Sequence, residues 1–143
     1  VPYRYLDDIA IADAAFEVWA GTLEDLFVEA ADATMNVMVQ DLGTIGVAEH
    51  RQLRVAADAL DLLLLALLEE LIYLKDAERL LVRITRVDID EDASGLHLEA
   101  DAWGETINPE KHPLLVDVKA VTLHRLAVQP TDQGWWATVV VDV

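Results

Sequence analysis

One stretch, LDLLLLALLEELIYL over 60–74, limits the folds open to this chain more than any other. Leucine recurs at 60, 63, 64, 67, 68 and 71, the threes and fours of an α-helix, and Leu62 and Leu65 widen the apolar stripe. So broad an arc implies central burial under a sheet, or else an interface with a partner as in a chaperone-like dimer. It does not imply a membrane span, because Asp61, Glu69 and Glu70 interrupt a run that is already too short to cross a bilayer. The spacing predicts a helix over 58–74.

The rest of the chain supplies that sheet. AAFEVWA at 14–20 alternates as a strand, and Gly21 then Thr22 stop it. Thr22 is a favourable N-cap with Asp25 at the position of a capping-box acid. A helix is expected to follow, with Leu23, Leu26, Phe27, Ala30, Val37 and Met38 on one face and Glu24, Asp25, Glu29 and Asp32 on the other. Residues 47–55 read as a strand. Four more strands are predicted from residues 80, 96, 116 and 135, joined by the turn-rich segments DEDASG, INPEKHP and QPTDQG. The order is α+β, a two-layer arrangement with two helices packed on one face of a largely antiparallel or mixed sheet. A chain of 143 residues with no repeat or linker is expected to form a single domain over 1–143.

Composition removes several functions. Without cysteine there is no disulfide framework, zinc-thiolate site or thiol nucleophile. Twenty-seven acidic against ten basic residues leave a net charge of −17, which opposes the counterion release that drives nucleic-acid binding, so no direct binding to RNA or DNA is expected. The same charge suits a basic partner or bound cations. No signal-peptide pattern is evident and no membrane association is expected, so the expected location is cytoplasmic.

Catalytic signatures are sparse. Ser94 is the sole serine, in a turn, with no spacing that ties it to a histidine, and neither dinucleotide nor P-loop glycine patterns occur. DIDEDASG resembles part of an EF-hand loop but lacks its glycine and terminal glutamate, and reads better as a hairpin turn. His50 and His97 lie on expected strands without metal-ligand spacing. His112 sits in a proline-bounded loop where functional side chains concentrate, and His124 has the parity of a hydrogen-bonded core histidine.

The closing segment GWWATVVVDV poses a sharper question, because a valine-rich buried strand carries Asp142 at its end. Either the strand runs out into water, or Asp142 and Val143 form one wall of a cation site. The second acid of such a site is best sought in IAIAD, at Asp13, which could otherwise merely shape a turn. Carboxylate and carbonyl oxygens suit a hard cation such as Ca²⁺ or Mg²⁺. Spacing alone does not bring residues 13 and 142 together.

The segments ADAAFEVWAGTLEDLFVEAADATMNVM, LLEELIYLKDAERLLV, WGETINPEKHPLLVDVKAVTLHRLAV and VVVDV resemble, in the same order and across nearly the whole chain, the archease proteins. The resemblance implies a small cytosolic accessory factor of an RtcB-type RNA ligase in tRNA splicing, one that promotes guanylylation and repeated turnover and is not itself an enzyme. It implies no catalytic residues, and a divalent cation, Ca²⁺ first with Mg²⁺ or Mn²⁺ as alternatives, bound by Asp13, Asp142 and the carbonyl of Val143. Lys119, in DVKAVTLH, matches the functional lysine of the family, and His112 is a further partner-activating candidate. The chain departs from the family in having Ala10, Ile11 and Ala12 where His-Thr-Ala precedes the aspartate, in Leu123 for tyrosine, and in MVQD, which leaves Asp41 one position late and unassigned. A small metal-dependent hydrolase using the same carboxylates, with Lys119 or His112 as acid or base, is the competing expectation.

Overall fold

The computed structural model describes residues 2–6 and 13–143. Strand β1 (Tyr3–Leu6) and β2 (Asp13–Ala20) lead into α1 (Leu23–Met38) and a 3-10 turn (Leu42–Thr44). Strand β3 (Glu49–Ala57), α2 (Leu60–Glu78) and strands β4 (Leu80–Asp92), β5 (Gly95–Thr106), β6 (Ala120–Thr131) and β7 (Gly134–Asp142) complete the chain. At the start of α1 the Thr22 hydroxyl accepts the Asp25 N–H at 3.1 Å, the half of a capping box that satisfies an orphan helix donor. Helix α2 stops at Arg79, which takes a left-handed backbone (φ 53°) and donates its N–H to the Leu74 carbonyl.

The expected α+β class holds, with both helices packed on sheet. The strands divide, however, between two antiparallel sheets, ordered β1-β2-β7-β6 and β3-β5-β4. The reason lies in residues 107–119, which do not form a hairpin loop between β5 and β6. They run back past the end of α1, where Val39 and Leu114 bridge, Gln40 N–H donates to the Pro113 carbonyl and Leu115 N–H to that of Met38. Strand β6 therefore begins at Ala120 rather than 116, and it pairs with β7 instead of β5.

This division explains the leucine arc. Helix α2 touches β3, β4 and β5 of one sheet and β6 of the other, while α1 touches β1, β2 and β7 of one and β4 of the other. With sheet on more than one side, Leu63, Leu64, Leu67, Leu68 and Leu71 are all fully buried, in one cluster with Phe16, Val18, Leu26, Phe27, Val139 and Val141. No helix among the described residues is long and apolar enough to cross a membrane.

Candidate functional site

Alternation along β2 sends Phe16 and Val18 into the core and leaves Asp13, Ala15, Glu17 and Trp19 on the other face. The ladder with β7 then decides where the acid at its end sits. Phe16 pairs with Val139, Ala14 with Val141, and Asp13 stands directly opposite Asp142. Directly opposed residues in an antiparallel pair have Cβ atoms roughly 4.5–5.5 Å apart, and two like charges there repel unless something positive lies between them. Both residues are half-buried. On the other side of Asp142 the facing residue is Ala120, which offers no side-chain oxygen, while Val143 packs against the core. The donors so assembled are all oxygen, as a hard cation requires. No set of three or more acidic, histidine or cysteine side chains suited to a metal forms among the described residues, so water or backbone oxygens would have to complete the shell. Ala10, Ile11 and Ala12 lie outside the described residues.

Lys119 is tied to this end of the sheet by its backbone, whose N–H donates to the Asp142 carbonyl at 2.8 Å. Its exposed side chain borders a depression lined by Glu69, Ile72, Tyr73 and Asp76 of α2. His112 is elsewhere and is not available to a partner. It is 1% exposed, its Nδ1 accepts the Asn108 N–H at 2.9 Å, and its Nε2 therefore carries the proton donated to Glu105 Oε1 at 2.8 Å. The same oxygen accepts from Gly46 N–H at 2.9 Å and Lys111 Nζ at 2.6 Å. Lys111, the Gly46 amide and His112 together hold the Glu105 carboxyl down at a pKa of about 2. The histidine thus organises two loops.

His124 also differs from expectation. The β6 register slips between Thr122 and Ala127, opposite Val140 and Thr138, so the intervening residues bulge outward and Arg125 adopts φ 57°. Simple parity fails across such a bulge, and His124 is exposed rather than in the core. His50 is a surface residue, bonded to Asp101 at 3.0 Å and stacked on Trp103. Ser94 does meet a histidine, His97, at 2.8 Å, and both meet Asp92 in the β4–β5 turn. The wiring is not that of a catalytic relay. A relay needs the serine on one ring nitrogen and the acid on the other, whereas here both contact Nε2. Asp92, with its pKa lowered to about 2 chiefly by Ser94, caps the turn expected from DEDASG.

A profile of the Archease protein family matches residues 3–143. The chain belongs to the archease family. Protein archease of Methanosarcina acetivorans is 35% identical over 142 residues, covering 99% of this chain and 95% of that relative. Protein archease of Methanopyrus kandleri is 36% identical over 132 residues, covering 92% and 94%. Among solved structures, protein 1598 of Methanobacterium thermoautotrophicum superposes with a TM-score of 0.84 at 34% identity, over 99% of each chain. An archease of Thermotoga maritima, described as a possible chaperone, shares the fold with a TM-score of 0.63 at 17% identity, over 94% of this chain and 93% of its own.

Two polar arrangements of this archease-family chain escaped the sequence reading. Asp32, on the face of α1 expected to be solvated, is buried and takes both Nε and Nη2 of Arg83 from β4 at 3.1 and 2.9 Å. Lys75, within the leucine helix, is only 6% exposed. Its Nζ donates to the carbonyl of Val118 at 2.7 Å and pairs with Asp76 and Asp117. A lysine on the inward side of so apolar a helix was the available signal, since such a charge must find partners when buried.

Proposed function

We propose that this chain is a non-enzymatic accessory factor that docks on an RtcB-type RNA ligase and promotes its guanylylation and multiple turnover in tRNA splicing or RNA repair. Asp13, Asp142 and the Val143 carbonyl hold a divalent cation, Ca²⁺ in the first place and Mg²⁺ or Mn²⁺ otherwise. The observation that carries the reading is the opposition of Asp13 and Asp142 across the β2–β7 ladder, on a chain of the archease family. When bound, the cation neutralises the two facing carboxylates and fixes the ends of the two strands. Lys119, whose backbone N–H donates to the Asp142 carbonyl and whose side chain is exposed, is the residue we assign to contact with the partner. Negative charge over the whole chain favours encounter with a ligase surface that binds RNA and GTP. Of the two residues a hydrolase could use as acid or base, His112 is buried and committed to Glu105, which leaves Lys119 alone and gives that alternative less support.

Multiple-turnover ligation by a cognate ligase decides the matter. Addition of the wild-type chain is expected to raise turnover, and Asp13→Ala, Asp142→Ala and the double variant are expected to lose that effect to about the same extent, because residues acting as one unit are non-additive. Tight RNA binding by the isolated protein at physiological salt, with the ligase unaffected, overturns the reading.

A further inference from the structure

Residues 114–117 form an unusual surface. Leu114, Leu115 and Val116 are consecutive large aliphatic residues that remain 44%, 55% and 50% exposed. Together with Met38, Leu81 and Ile107 they line an apolar groove that ends at Lys75 and Asp117. The backbone pairs with the end of α1 through a single antiparallel bridge, Val39 to Leu114. Pro113 and Leu115 bond to Gln40 and Met38, whereas the N–H and carbonyl groups of Leu114, which the antiparallel bridge turns to the other side, and those of Val116 have no hydrogen-bond partner among the described residues. Such an edge is open to a further strand. The charge at its end is also set. Lys75 is matched by two carboxylates, Asp76 and Asp117, which are 57% and 62% exposed, and with Glu69 and Lys119 beside Asp76 the charges there still leave a net negative rim with unused acceptor oxygens.

We propose that this groove and edge bind an extended segment of a partner protein by strand addition. The segment carries an aliphatic side chain that enters the groove and a flanking lysine or arginine that meets Asp76 and Asp117. Main-chain bonds to Leu114 and Val116 supply the docking direction, and the apolar groove and acidic rim supply selectivity. The inference deepens the accessory-factor reading by giving the partner a second contact, separate from Asp13 and Asp142, and in naming the ligase as the source of the segment it rests on that reading.

The test uses two probes. The first is a capped Lys-Val-Leu-Val-Arg peptide, with capped Glu-Val-Leu-Val-Glu as its counterpart, titrated into the ¹⁵N-labelled full chain. Amide shifts centred on Leu114 to Asp117 and Lys75 are expected with the basic peptide alone, and Leu115→Asp, an exposed position whose change should leave the fold intact, is expected to weaken binding about tenfold or more. Equal binding of both peptides, shifts centred elsewhere, no shifts, or concentration-dependent shifts at these amides without peptide, which would mean a second copy occupies the edge, each overturn the proposal. The second probe is the cognate ligase, whose affinity for the chain should fall about tenfold in L115D while Asp13 and Asp142 are intact. Unchanged affinity rejects the edge as a ligase contact. Groove binding of the basic peptide by a wild-type chain that neither binds nor stimulates the ligase supports the groove while refuting the ligase reading, so the two failures are distinct.

Discussion

Oxygen Oε1 of Glu105 joins two loops by accepting from Gly46, Lys111 and His112. These donors favour the ionised carboxyl, and its pKa in the fold is about 2 against an ordinary 4.5. A folded-state pKa below the unfolded one means stability that is fully present above about pH 4.5 and is lost as pH falls toward 2. Glu105→Gln keeps the shape and removes the titration. The variant is expected to melt below wild type at pH 6, and the gap between them should close as pH falls through that window. Melting curves across the acid range check this, and a gap that stays constant refutes the linkage. No spacing rule would have found this clamp from sequence, because its members, at 46, 105, 111 and 112, meet only through tertiary packing. What the sequence did reveal was a loop rich in turn formers around His112, which was enough to mark the place but not to say that the ring points inward.

Among the elements, those with sustained periodicity were legible: both helices and the strands from residues 14, 80, 96 and 135 lie within a few residues of their expected positions. Strand β1 was missed because its YRYL run is too short to carry a pattern, and β3 runs two residues later than expected, over Glu49–Ala57. The division into two sheets was invisible because it depends on how 107–119 travels, and parity misled at His124 because a bulge resets it. Register has a harder determinant at Gly104 of β5. A Cβ there would lie 1.8 Å from the Leu81 carbonyl oxygen, so the backbones of β4 and β5 approach too closely for any side chain. Gly104→Ala should force them apart and cost about 1–3 kcal/mol or more, as overpacking does. Gly21, with nothing within 4 Å of a built Cβ, is the control, and its change to alanine should stay within about 0.5 kcal/mol. Urea denaturation of the two variants measures both, and equal stabilities would show that β4 yields without strain.

Over the whole molecule, the pairing of residues 13 and 142 links the acid at the start of β2 to the acid at the end of β7 within a chain of net charge −17. Sequence patterning and family resemblance singled out both aspartates, yet only the strand order β2-β7-β6 makes them neighbours, and that order follows from packing no local pattern encodes. Their opposition has an energetic consequence that does not depend on any partner. Without a cation, two facing carboxylates cost stability, so Asp13→Ala or Asp142→Ala should leave the metal-free protein as stable as wild type or more so by about 0.2–1 kcal/mol. With a cation, the sign reverses. A ligand that binds only the folded state adds stability that grows with its concentration, about 2.7 kcal/mol at a hundredfold excess over Kd, and for the proposed site this gain would require both acids. Thermal melts of wild type, each single variant and the double variant, with and without Ca²⁺ at constant ionic strength, separate the two effects. The wild-type melting temperature should rise on adding Ca²⁺ while that of all three variants rises far less, and the double variant should add little to either single one, as expected for two groups sharing one ion. Holding ionic strength constant matters because general screening of so acidic a chain would raise all four curves together. Equal Ca²⁺-induced shifts in the four proteins would assign the stabilisation to that diffuse charge and remove the shared site.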